Sequence, residues 1–130
     1  MNDYVADTHS LFWYLTASPR LGSNAKAAFD EAQNGTAYIH ISAIVLAELY
    51  YLISKYSSPI DFSAELNRFR SGSQFVLTPF EPEDIIDFDL DRAVSEMHDR
   101  IIVGLARRLN APLLTIDQNI AQSGLVKVVW

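Results

Sequence analysis

The chain has no cysteine. Disulfides and thiolate-held zinc are therefore excluded, and a reducing compartment suits it. Glycine and proline number five each and fall between periodic segments, with no linker, low-complexity tract or internal repeat. One domain spanning 1-130 is expected, with 49% apolar residues to fill a single core. No apolar run approaches the roughly 20 residues that span a bilayer, and Met1-Asn2-Asp3 lacks the basic and apolar regions of a signal peptide. A soluble, cytoplasmic protein is the expectation. Positive charge is scarce: 10 Lys and Arg face 16 Asp and Glu, a net charge of -6. Broad electrostatic capture of nucleic acid, which relies on many basic side chains displacing counterions, is excluded. Any nucleic acid must be held locally.

What the chain does have is acid in apolar places. Asp7 ends Tyr4-Val5-Ala6, Glu48 interrupts Ala43-Ile44-Val45-Leu46-Ala47, Asp99 opens an apolar helix, and Asp117 closes Leu113-Leu114-Thr115-Ile116. A carboxylate buried alone costs several kcal/mol, so a cation or fixed donors must compensate each one. Four such positions point to one shared cation site. If a divalent ion neutralises part of that cluster, the remaining surface is close to balanced.

The periodicity places these acids. Tyr4 to Asp7 reads as a short buried strand, followed by a helix from Thr8 that turns Leu11, Phe12 and Leu15 to one side. Ser23 is the expected N-cap of a helix ending at Asn34-Gly35, and Thr36 to Ile41 is β-rich. Ser42 caps a helix that points Glu48 along its buried side. Asp61 to Arg70 is amphipathic, Phe75 to Leu77 is a strand, and Pro82 starts a helix whose later acids Asp87, Asp89 and Asp91 are expected in solvent. The next helix carries Ile102, Leu105, Ala106 and Leu109 on one face, and Gly104 inside it signals a close approach. Leu113 to Ile116 and Val126 to Val129 are the last strands, separated by a short helix from Asp117.

Strands alternating with helices imply a three-layer α/β/α sandwich with a mainly parallel central sheet. In such sheets ligands bind outside the carboxyl ends of the strands, where Asp7 and Asp117 fall. Asp99 near a helix start and Glu48 two turns into its helix can join them.

Val5-Ala6-Asp7-Thr8-His9, Ser42-Ala43 with Ala47-Glu48-Leu49, Met97-His98-Asp99-Arg100-Ile101-Ile102, and Ala111-Pro112-Leu113-Leu114-Thr115-Ile116-Asp117 resemble PIN-domain ribonucleases, especially the VapC-type toxins of bacterial toxin-antitoxin pairs. The likeness spans nearly the whole chain, and four pieces in order are far more specific than any one. It implies a metal-dependent endoribonuclease in which Asp7, Glu48, Asp99 and Asp117 form the catalytic acidic site for one or two Mg²⁺ or Mn²⁺ ions, supported by Thr8, Ser42 and Thr115. It also implies a homodimer, a cognate antitoxin and an RNA substrate. Arg20, Lys26, Lys55 and Arg100 are candidate phosphate contacts, with Arg100 foremost. The chain departs from the pattern at Gly104, where relatives carry Ala or Thr, and at Asn119, where some carry another acid.

Other readings of the same residues stand beside this one. Singly, Asp7 and Asp99 are ordinary helix caps, and Glu48 is available for an ion pair with Arg100 or Lys55. A non-catalytic PIN-like module would keep the acids as a structural metal site. A receiver-like phosphoacceptor domain with a flavodoxin-like sheet would use Asp7, but normally places a second acid beside it, and Thr8-His9 supplies none. His9, His40 and His98 lack the close spacing of a zinc site and read as packing or hydrogen-bonding groups. The aromatic runs Phe12-Trp13-Tyr14 and Tyr50-Tyr51 read as core or interface.

Overall fold

The apolar runs become five parallel strands in the computed structural model, which describes residues 1–130. These are β1 (Asn2–Ala6), β2 (Ala37–Ser42), β3 (Phe75–Thr78), β4 (Leu113–Leu114) and β5 (Val128–Val129), in the order β3-β2-β1-β4-β5. β1 is central. Tyr4 stands opposite Ile39 of β2, and Val5 opposite Leu113 of β4.

Helices supply every crossover: α1 (Thr8–Leu15), α2 (Ser23–Gln33), α3 (Ala43–Lys55), α4 (Phe62–Ser71), α5 (Pro82–Ile86), α6 (Met97–Leu109) and α7 (Gln118–Ser123), with a 3-10 turn over Asp87–Asp91. The strand order runs outward one way from β1 to β3 and the other way through β4 and β5. With right-handed crossovers, that reversal covers both faces and opens a crevice between β1 and β4 at the carboxyl ends of the strands. The flavodoxin order, 2-1-3-4-5, is a different winding, so the sheet does not support the receiver-like alternative.

A single cluster of buried apolar residues forms the core, with Val5, Leu11, Phe29, Ile39, Ile41, Leu49, Ile102, Leu113 and Leu114 all sealed from solvent. Each such side chain contributes roughly 1.5–3 kcal/mol through burial. α6 packs across β1 and β2, which fixes its first turn over the crevice.

Three local expectations are corrected. Ser23 is the first helical residue of α2, and Gly22 occupies the cap. A Cβ on Gly22 would lie 2.6 Å from the Trp130 carbonyl carbon, so the closeness of the chain's end requires glycine there. Asp91 is not solvated: it is 1% exposed and gripped by Arg107, whose Nε and Nη2 donate at 2.8 and 3.2 Å. The close approach foreseen at Gly104 is to this carboxylate, since a Cβ there would meet Asp91 Oδ2 at 3.2 Å and Arg108 Nη1 at 3.1 Å. Finally, β5 is shorter than the expected Val126 to Val129, because only Val128 and Val129 pair with β4.

Candidate active site

Each of the four singled-out acids sits where an element begins or faces the crevice. Asp7 follows β1 and caps α1: its Oδ1 accepts the Ser10 amide at 2.9 Å, while the Ser10 hydroxyl donates to the Asp7 carbonyl at 3.0 Å. Asp117 follows β4 and caps α7, with Oδ1 accepting the amides of Asn119 and Ile120 at 2.8 and 3.2 Å. In both cases the helix amides engage Oδ1, so Oδ2 keeps accepting capacity for another partner. Thr115, fully buried, receives the Asp117 amide on its hydroxyl at 3.1 Å.

Glu48 lies in α3, whose N-cap Ser42 accepts the Ile44 amide at 3.3 Å. Its Oε1 takes a 2.7 Å hydrogen bond from the buried Thr8 hydroxyl, and its Oε2 lies 3.6 Å from His98 Nδ1. The foreseen ion pairs with Arg100 or Lys55 do not form. Arg100 instead donates from Nε to the Val94 carbonyl at 2.7 Å and stacks over Phe88, with 5.8 Å to the ring centroid. Its Nε is thus engaged in holding the segment before α6, and no hydrogen bond engages its terminal nitrogens.

Asp99 sits in the first turn of α6, and the reading of the sequence missed its neighbour. Glu96 is the N-cap, accepting the Asp99 amide at 2.7 Å and standing 3.3 Å from His98 Nδ1. The signal was present as an acid three residues before an acid at a helix start, but Glu is an uncommon cap and the position reads as surface.

The titration behaviour reports the crowding. Burial, followed by the charges of Glu96, Asp117, Glu48 and Asp7, pushes Asp99 up to about 6. Asp7 is also raised, by burial, against hydrogen bonds from Thr115 and Ser10. Glu96 goes the other way: burial raises it, but the amides of Asp99 and His98 and the His98 charge together hold it below the usual carboxylate range. Asp99 therefore feels all three other singled-out acids and Glu96 besides.

No three Asp, Glu or His side chains are arranged to hold one ion directly. The donor set is all oxygen around the crevice, with Asp7 and Asp117 each pinned through one oxygen. That fits a hard cation which takes one or two carboxylates and keeps most of its waters, and does not fit a closed cage.

A doubly wound parallel sheet with acids gathered at its switch point defines a class of α/β protein. A family model for the PIN domain matches residues 4–124, and the chain belongs to the PIN domain family. No curated protein sequence matches it. Among solved structures, the fold is similar to VapC20 of Mycobacterium tuberculosis, described as a sarcin-ricin loop cleaving toxin, with a TM-score of 0.72, 14% identity and coverage of 98% of this chain and 99% of that one. It is also similar to VapBC2 of Rickettsia felis bound to a DNA fragment from its promoter, with a TM-score of 0.70, 22% identity and coverage of 97% and 96%. DNA-bound VapBC from Salmonella typhimurium gives a TM-score of 0.70, 18% identity and coverage of 98% and 97%. At these identities the likeness is one of fold.

Proposed function

We propose that the chain is a metal-dependent endoribonuclease of the VapC type, working as one PIN-like domain over residues 1–130 in the cytoplasm, as the toxin of a toxin-antitoxin pair. What supports this reading is the electrostatic coupling at Asp99, which feels the charges of Asp7, Glu48 and Asp117 as well as Glu96, a cost in charge repulsion that a structural role would not require. Family membership and the fold shared with a toxin described as sarcin-ricin loop cleaving support it.

Asp7, Asp99 and Asp117 would hold Mg²⁺ or Mn²⁺, one ion or two, each ion taking one or two of these carboxylates directly and reaching the rest through its waters. When bound, the metal polarises the scissile phosphodiester and makes water a better nucleophile at neutral pH. The residues do the rest. Thr8 fixes one Glu48 oxygen, leaving the other to orient the attacking water and accept its proton. Thr115 steadies the turn carrying Asp117, and Ser42 starts the helix that aims Glu48. The water oxygen bonds to phosphorus as the P–O3′ bond breaks, leaving a 5′-phosphate and, once the departing oxygen takes a proton, a 3′-hydroxyl.

No helix is long and apolar enough to cross a membrane. Tyr50, Tyr51, Ile85, Ile86 and Leu90 are all more than half exposed and supply apolar surface for a second copy and an antitoxin.

The test is cleavage of labelled single-stranded RNA by the purified protein with Mg²⁺ or Mn²⁺, beside Asp99→Asn. Metal-dependent cleavage that falls at least 100-fold in the variant is the expected result, on the scale of losing one main electrostatic group. Cleavage that survives the substitution would discard the site assignment. A folded protein that binds RNA and Mn²⁺ but never cuts would point to the non-catalytic module.

A further inference from the structure

Among the acids stands one imidazole. His98, in the first turn of α6, places Nδ1 3.3 Å from Glu96 Oε1 and 3.6 Å from Glu48 Oε2, so a single ring nitrogen faces two carboxylates carried by different elements. Each of those carboxylates is anchored through its other oxygen: Glu96 Oε2 accepts the Asp99 amide at 2.7 Å, and Glu48 Oε1 accepts the Thr8 hydroxyl at 2.7 Å. The ring sits between the two remaining oxygens.

Ionised carboxylates only accept hydrogen bonds, so a neutral imidazole that turns one nitrogen toward two of them is held with its proton on that nitrogen, Nδ1. His98 is then a donor. The 3.6 Å to Glu48 lies just outside hydrogen-bond reach, the spacing of a catalytic contact that tightens only when substrate arrives. Glu48 needs such a contact. The terminal torsion of a glutamate is broad, so one hydrogen bond from Thr8 leaves the carboxylate free to swing about its held oxygen, and a second donor on the opposite side removes that freedom. α3, which carries Glu48, packs against both α1 and α6, so Thr8 and His98 reach it from two flanking helices.

We propose that His98 is a positioning residue for RNA cleavage: its Nδ1–H holds Glu48 Oε2 opposite Thr8, Glu96 keeps the ring in place, and the remaining lone pair of that oxygen is aimed at the attacking water. The inference rests on the nuclease reading. It requires no change of charge at His98, because the neutral ring already donates.

The test uses the intact chain, labelled single-stranded RNA and Mn²⁺. The His98 side chain is 39% exposed, so its replacements keep the fold, as melting temperature verifies. His98→Leu removes the donor, and kcat falls about ten- to hundredfold with KM within about twofold, the scale of a misplaced reacting group. His98→Asn, whose amide nitrogen stands near the place of Nδ1, keeps kcat within about threefold, whereas His98→Gln, with its amide near the place of Nε2, does not rescue. In a Glu48→Gln background the His98→Leu loss vanishes, since the group being aimed is gone. Nitrogen NMR of the neutral ring in the metal-free chain reads the contact without any activity: the proton is expected on Nδ1, and on Nε2 once Glu48→Ala and Glu96→Ala are combined. Equal loss in His98→Asn and His98→Leu, or a His98→Leu loss that persists in full without Glu48, overturns the proposal. Cleavage by a chain whose ring is protonated on Nε2 leaves the nuclease reading standing and removes His98 from it; RNA left uncut by a native chain protonated on Nδ1 keeps the contact and sinks the nuclease reading.

Discussion

At the scale of single residues, Asp99 makes the cost of the site measurable. An unfolded Asp titrates near 3.9, whereas burial and the surrounding acids push Asp99 up to about 6. The folded chain therefore holds the extra proton between those values, and stability falls as pH rises through that window, with the full penalty above about 6. Asp7, raised by burial, adds in the same direction. Glu96 opposes them, but its lowered value confers stability that is present above its ordinary 4.5 and lost only below it, a different window. The metal-free protein should melt about 2–4 °C lower at pH 7 than at pH 5. Asp99→Asn should flatten that profile and raise the pH 7 value, as followed by circular dichroism; an unchanged slope would contradict the charge crowding. Mn²⁺ at about 100 times its dissociation constant adds roughly 2.7 kcal/mol, or roughly 10 °C for a chain of this size, and much less in Asp99→Asn. Thr8 is a separate case. Thr8→Val keeps the shape but removes the 2.7 Å bond to Glu48. If Glu48 must be aimed, kcat drops about tenfold with KM nearly constant, and the loss disappears in a Glu48→Gln background.

At the scale of elements, the segment between α5 and α6 has the least legible structure in the sequence. Asp87, Asp89 and Asp91 look alike as exposed helix acids, yet Asp91 is sealed under Arg107, with Asp87 and Asp84 reaching Arg107 and Arg108 at 3.5 and 3.4 Å. Nothing local distinguishes Asp91, because its partner lies 16 residues away and the contact forms only when the 3-10 turn folds back on α6. Gly104 was the one clue, since a helix interior rarely gives up about 1 kcal/mol without cause. The cause yields a prediction of sign. In the native background Gly104→Ala destabilises, because its Cβ presses on an Asp91 oxygen that Arg107 holds in place. In an Asp91→Ala background the only close neighbour left is the flexible end of Arg108, 3.1 Å away, which can swing aside, and the same substitution should stabilise by up to about 1 kcal/mol. Asp91→Ala alone should cost about 1.5–3 kcal/mol by removing the hydrogen bonds of a charged pair, with Arg107 keeping water and Asp87 as partners. Urea melts of the four proteins in the cycle decide it: the same sign for Gly104→Ala in both backgrounds would refute the clamp. By contrast, the starts of α3 and α7 were legible to within a residue, because their caps Ser42 and Asp117 are the types that bond their own helix amides.

At the scale of the whole molecule, the parallel sheet was readable because its strands are unbroken apolar runs between helices. The strand order was not, since it depends on how crossovers stack. The four acids could be named because carboxylates among Val, Ile and Leu are costly wherever they land. Glu96 escaped notice because at the surface an acid is the ordinary residue. Charge distribution has a global consequence. Of the 10 Lys and Arg, Lys26, Arg68, Arg107 and Arg108 are held in ion pairs, and Arg100 is tied to Val94. Five basic side chains, Arg20, Lys55, Arg70, Arg92 and Lys127, are left outside these contacts to meet phosphates, on a chain carrying a net -6. Affinity for single-stranded RNA therefore has to come through divalent ions at the crevice and contacts to bases, with one or two phosphates neutralised by protein cations. For single strands log K falls with log salt at a slope of about -0.7 per phosphate contacted, so a slope between about -0.7 and -1.5 is expected in KCl at constant Mn²⁺ or Ca²⁺. Chelating the divalent ion should weaken binding far more than raising KCl from 50 to 200 mM, a span that costs only about three- to eightfold at such a slope. A slope steeper than about -4, as basic nucleic-acid-binding surfaces give, would mean that RNA lies across a positive face outside the crevice, and that the acids are not where the strand is held.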